Sequence, residues 1–114
     1  MDTADAISAL GALAQETRLD AFRLLVQAGP GGRAAGALAE ALGVPATTLS
    51  FHLAQLAHAG LVTQRREGRS ILYAADYTRM NGLLAFLTEN CCGTGEAACV
   101  AVCAPGVCEQ EKPA

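Results

Sequence analysis

All five cysteines of the 114-residue chain lie in its last quarter: Cys91, Cys92, Cys99, Cys103 and Cys108. Chance scatter would not usually gather them so. Thiolates ligate soft metal and metalloid centres, and they also undergo reversible oxidation. Cys91 and Cys92 are vicinal. Gly93-Thr94-Gly95 follows as a turn that lets the chain fold back, bringing Cys99 towards the pair. The spacing predicts a short helix over Glu96–Ala104, with Cys99 and Cys103 four apart on one face, broken by Pro105-Gly106 before Cys108. Structural zinc usually takes C-x₂₋₄-C pairs in a tetrahedron, and the chain has no C-x-x-C. Trivalent arsenic or antimony takes three sulfurs in a pyramid, which two vicinal thiols and one returning thiol can supply. Spacing alone leaves zinc, cadmium and a redox role open.

A sensing site needs something to act on, and the stretch VPATTLSFHLAQLAHAG, Val44 to Gly60, supplies it. It reads as one amphipathic helix, with Pro45 suited to the first turn and Gly60 to the end. Leu49, Leu53 and Leu56 form one stripe. Thr47, Thr48, Ser50, Phe51, Ala54 and Gln55 fall on the other side, which is small, hydroxylated and nearly uncharged. A merely solvated face would usually carry Lys and Glu, so this one is suited to close approach, as in the DNA major groove. His52 borders the apolar stripe, where a hydrogen bond into the turn or to a phosphate is available to it. His52 and His58 are weak signals, since a helical His near apolar positions is more often packed than ligating.

The flanking segments fit a DNA-binding unit. Ala35–Leu42 is predicted as a short helix ended by Gly43, giving a helix, a tight turn and a second helix. After it, Leu61–Arg65 and Ser70–Ala74 are predicted as strands, joined by Arg66–Arg69 with Gly68 free to take positive φ. Arg65, Arg66 and Arg69 gather on this hairpin, where guanidinium groups suit phosphates or a minor groove. A helix-turn-helix followed by a basic hairpin is a winged helix, mainly α in class.

Residues 14 to 90, about two-thirds of the chain, resemble the ArsR/SmtB family of metalloid- and metal-responsive repressors. The resemblance rests on AQETRLDAFRLL, LGVPATTLSFHLAQLAHAGLV and REGRSILYA, and most specifically on S-x-H-L-x-x-L-x-x-A-G-L-V from Ser50 to Val62. It implies that the second helix of the motif reads an operator and that a dimer is the working unit. The cysteine pair many members carry in the helix matching Ala35–Leu42 is absent. The T-E-N-C-C run resembles instead an arsenite-responsive subgroup that binds at the end of its dimer helix. By that resemblance Cys91, Cys92 and Cys99 are the expected ligands of trivalent arsenic, with antimonite also accepted. Cys103 and Cys108 are further candidates.

Three other helices complete the frame. Asp2 or Thr3 can cap a first helix through Leu13, with Ile7, Leu10 and Leu13 at helical spacing. Glu16–Ala28 is the second, with Leu19, Phe22 and Val26 on one face; its Arg18 and Arg23 could reach backbone phosphates, but the default reading is solvated surface charges. Tyr77–Asn90 is the last, with Met80, Leu83, Leu84 and Leu87 on a broad apolar face that needs a partner surface. A second copy of the chain is the economical one. Expected dimer residues are Ile7, Leu10, Met80, Leu83, Leu84 and Leu87. No carboxylate–histidine set for a metal recurs on that last helix, which weighs against zinc there.

The expected organisation is a winged-helix and dimerisation domain over 1–90 and a cysteine-rich tail over 91–114 carrying the inducer site. The formal charge of −3 does not by itself favour nucleic acid. The basic residues cluster at the wing, however, and acidic ones lie near both termini. No apolar run approaches a membrane span and no signal peptide is visible, so a cytoplasmic protein is expected. An enzyme, such as a thiol-dependent reductase, is disfavoured because no cysteine sits beside a clear activating base. A winged helix that binds protein instead of DNA is a further alternative.

Overall fold

The computed structural model describes residues 1–90; the tail 91–114, with all five cysteines, lies outside the described residues. The elements run α1 (Thr3–Leu13), α2 (Glu16–Ala28), β1 (Arg33–Ala34), α3 (Ala35–Leu42), α4 (Ala46–His58), β2 (Val62–Glu67), β3 (Ser70–Ala75) and α5 (Tyr77–Thr88). This is the winged helix-turn-helix arrangement expected.

Local chemistry sets the boundaries. The Asp2 carboxylate accepts from the Asp5 N–H at 2.8 Å, satisfying an orphan donor at the start of α1. Gln15 and Asp76 cap α2 and α5 in the same way, accepting from Arg18 N–H and Arg79 N–H. Between α3 and α4 the chain must reverse within three residues. Gly43 does this at φ 68°, a left-handed conformation that costs a side chain but not glycine. Pro45 is the cap of α4, with extended ψ of 146°, and the helix begins at Ala46, one residue later than a proline in the first turn would place it.

Six leucines are fully buried: Leu25, Leu38, Leu49, Leu53, Leu56 and Leu61. Burying each is worth about 1.5–3 kcal/mol. Helix α4 supplies three of the six, so one face of it is sealed into the core and its orientation is fixed. Helix α5 is stitched to the rest at its start. The Asp76 N–H donates to the Leu61 carbonyl at 2.8 Å, and the Tyr77 hydroxyl donates to the Val26 carbonyl at 2.8 Å.

The sheet is antiparallel in the order β1-β3-β2. Strand β1 was not anticipated. Its Arg33 and Ala34 pair with Tyr73 and Leu72, and a two-residue strand has no periodicity of its own to read. The hairpin strands extend to Glu67 and Ala75, past the predicted ends. Only Gly68 and Arg69 form the turn, with Gly68 at φ 62°, the positive value a tight hairpin needs at its first loop residue.

Candidate nucleic-acid interface

Helix α4 presents to solvent the face that its leucines leave free. Thr47, Thr48, Ser50, Phe51, Ala54 and Gln55 are exposed, while Leu49, Leu53 and Leu56 are buried. Phe51 is 60% exposed, a large apolar ring in water on an otherwise polar face. Its ring meets that of His52 edge-on, centroids 5.7 Å apart. Such a ring suits the C5-methyl group of thymine, the one apolar mark in the major groove.

The wing, β2 and β3, follows α4 in the chain. Alternation along the strands assigns its side chains to two faces. Gln64 and Arg66 share a face with Tyr73, Ile71 and Arg33, whereas Arg65 and Glu67 share the other with Leu72. Arg65 is occupied within the chain. Its guanidinium donates to the Gly31 carbonyl at 3.1 Å and to Glu67 Oε2 at 3.3 Å. It therefore ties the wing base to the loop after α2, and its charge is partly balanced, a different role from the phosphate contact expected of it. Arg66 and Arg69 have no side-chain partner among the described residues, and both are exposed. Sequence reading missed Arg33, exposed on β1 and on the same face as Arg66. Only the register of that short strand places it there.

Arg18 also departs from expectation. It is not a free surface charge: its Nε–H donates to the Ala12 carbonyl at 2.6 Å, and its Nη1 lies 3.2 Å from His52 Nδ1.

The expected dimer residues divide. Ile7 (63% exposed), Leu87 (55%), Leu10 and Leu84 lie open on α1 and α5. Leu83 does not: at 5% exposure it packs in the chain's own core, and Met80 is half-buried against that core. Both line an apolar groove of 330 Å³ with Leu13, Leu19, Phe22 and Val26. The reading of Leu83 as a contact free for a partner is thus corrected. Helical spacing groups Leu83 with Leu87 but cannot say which side of that stripe the chain's own core covers. Among the described residues, no group of three or more His, Cys, Asp or Glu could hold a metal ion. No helix among them is long and apolar enough to cross a membrane.

A fold with this helix pair and hairpin is that of a winged helix-turn-helix protein. Comparison with known proteins makes the class specific. A helix-turn-helix domain model matches residues 13–65. The homodimeric winged helix-turn-helix DNA-binding domain of a possible ArsR-family transcriptional regulator from Mycobacterium bovis is 35% identical, with 75% of this chain and 80% of that one covered and a TM-score of 0.60. An ArsR-like transcriptional regulator from Rhodococcus sp. RHA1 is 29% identical over 87% of this chain and 90% of its own, with a TM-score of 0.67. A possible transcriptional regulator for arsenical resistance is 30% identical over 72% and 82%, with a TM-score of 0.63. No curated protein matches. The chain belongs to the ArsR family of winged helix-turn-helix transcriptional regulators.

Proposed function

We propose that the chain is a metalloid-responsive repressor that binds operator DNA as a homodimer and leaves it when trivalent arsenic, or antimony, binds thiolates of the tail. The observation that carries the DNA half is the exposed polar face of α4 together with the exposed Arg66 and Arg69, which have no side-chain partner among the described residues. Major-groove readout by α4 would specify sequence, and the wing arginines would hold the backbone. Dimerisation through α1 and α5 follows from the open Ile7, Leu10, Leu84 and Leu87, and it is supported by the homodimeric M. bovis neighbour.

The sensing half rests on sequence. Cys91 follows the end of α5 by three residues, and a neighbour of 30% identity is a possible regulator for arsenical resistance. Cys91, Cys92 and Cys99 are the assigned ligands, with Cys103 and Cys108 as additional thiols. All five lie outside the described residues. Three soft sulfur donors match a thiophilic centre better than a hard cation. Coupling is reciprocal: whatever affinity DNA loses on arsenite binding, arsenite loses on DNA binding.

The test is a DNA-binding titration on the chain's own promoter under reducing conditions, with and without arsenite. Release of the wild type, and retention of the Cys91→Ser/Cys92→Ser variant on DNA, is the expected result. Release of that variant like the wild type would remove the site. Release by oxidants alone, or by zinc or cadmium alone, would replace arsenic with thiol oxidation or with those metals on the same fold.

A further inference from the structure

We propose that Arg18 is a positioning residue that fixes the tautomer of His52, and that the resulting His52 Nε2–H donates to a phosphate oxygen of the DNA held by α4. The inference rests on the DNA-binding reading above and adds to it a specific atom and a specific partner.

The argument starts from donor inventory. An arginine guanidinium has five N–H donors, no acceptor, and does not deprotonate in proteins. The approach of Arg18 Nη1 to within 3.2 Å of His52 Nδ1 is therefore a hydrogen bond only if Nδ1 carries a lone pair. A neutral imidazole with a bare Nδ1 has its proton on Nε2. The guanidinium is not free to turn away, because its Nε–H is held by the Ala12 carbonyl at the end of α1. One arginine of α2 thus spans from the last turn of α1 to the DNA-reading helix, 34 residues further along the chain.

The other imidazole nitrogen has no such partner. His52 is half-buried, Nε2 bonds to nothing among the described residues, and it is not sealed from solvent, since the one buried unpartnered side-chain atom there is Arg79 Nε. His52 stands in line with the exposed Thr48, four residues before it, and Gln55, three after. That places an oriented N–H at the edge of the polar face of α4. A neutral N–H donor suits a phosphate oxygen that accepts a hydrogen bond, and Arg18, held by its two partners, acts through the ring.

Two measurements on the full-length protein test this. The first is long-range ¹H–¹⁵N correlation at the His52 ring in the free protein. It should show Nδ1 unprotonated and Nε2 protonated, and Arg18→Met should relax that preference. A proton on Nδ1 in the wild type overturns the pairing. The second is titration of the promoter duplex over a salt series. His52→Asn keeps an acceptor for Arg18 but has no atom at Nε2. It should weaken binding on the order of tenfold per contact while leaving the salt slope unchanged, because a neutral donor releases no counterion. His52→Gln, which carries an N–H out to that distance, should recover part of the loss, and thermal unfolding of each variant separates binding from folding. Arg18→Met added to His52→Asn should cost little more than His52→Asn alone, since Arg18 acts through the ring. Additive losses, or a lower slope in Arg18→Met, would make Arg18 a direct phosphate ligand and overturn the proposal, as would wild-type affinity in His52→Asn. Failure of the wild type to bind any duplex would overturn the DNA reading and the phosphate contact together. The ring measurement would then show whether the Arg18–His52 pairing stands.

Discussion

Helices α4 and α5 are nearly equal in length, 13 and 12 residues, yet they treat their outer faces in opposite ways. Helix α4 buries all three of its leucines and turns Thr, Ser and Gln outward, with Phe51 the one large apolar side chain left in water. Helix α5 buries Leu83 and still exposes Leu84 and Leu87. An outer face that has no apolar stripe to hide suits water or a polar polymer; one that remains apolar after the core is complete suits another protein surface. Exposure by itself therefore does not mark a site. What an element leaves exposed once its core demand is met separates the DNA-reading surface from the assembly surface.

That contrast can be broken in order of effect. Leu83→Glu should be the most damaging change, because it places a carboxylate in the core. A loss of several kcal/mol, about 3–5, is expected in denaturant unfolding. If Leu83→Glu instead gave a folded monomer, the division of α5 into a core side and an open side would be wrong. Leu87→Glu, one turn on, should leave the fold intact and yield monomers by sedimentation, with promoter affinity falling on the order of a hundredfold as the second half-site is lost. A wild type that sediments as a monomer at micromolar concentration would count against the assembly surface altogether.

Smaller effects sharpen the other side. Arg66→Ala or Arg69→Ala should weaken binding to all duplexes alike and lower the salt slope by about one per lost phosphate contact. Arg65→Ala should change the slope less, because that guanidinium already serves Gly31 and Glu67; its exposed pair with Glu67 adds little stability. Smallest in absolute terms, Gln55→Ala or Thr48→Ala should cost about 1 kcal/mol on the specific site and much less on random duplex. Phe51→Ala should behave in the same way, and replacing thymine by uracil in the site should abolish the difference between that variant and the wild type. Uniform losses across sequences would mean that α4 positions and does not specify.

The sequence was most informative where local chemistry decides. The bounds of α2 and α3 agree with the spacing because caps and breakers, Gln15, Gly29 and Gly43, act on their immediate neighbours. The sealed stripe of α4 was legible because Leu49, Leu53 and Leu56 recur at the helical period. What could not be read depends on distant parts of the chain. Strand β1 exists through Leu72 and Tyr73, Arg65 is claimed by a carbonyl 34 residues away, and Arg18 meets His52 across the same separation. Charge and residue type look alike for Arg18, Arg65 and Arg66; only folding distinguishes two that are engaged from one with no side-chain partner among the described residues. Within the candidate site, the exposed face of α4 is legible in the sequence, whereas Arg33 and the intrachain partners of Arg18 and Arg65 are not.

The bond from the Tyr77 hydroxyl to the Val26 carbonyl has a practical consequence. The chain contains no tryptophan and two tyrosines, Tyr73 and Tyr77. Its intrinsic ultraviolet emission therefore comes from two phenols, one in the middle of β3 at the root of the wing and one at the first residue of α5. Tyr77 is tethered to a backbone oxygen and Tyr73 lies on the sheet, so the two rings report separately on the two regions contrasted above. With Tyr73→Phe, the remaining emission follows the seating of α5 on α2; with Tyr77→Phe, it follows the wing. The protein carries its own optical labels at both ends of its proposed action, with no dye attached.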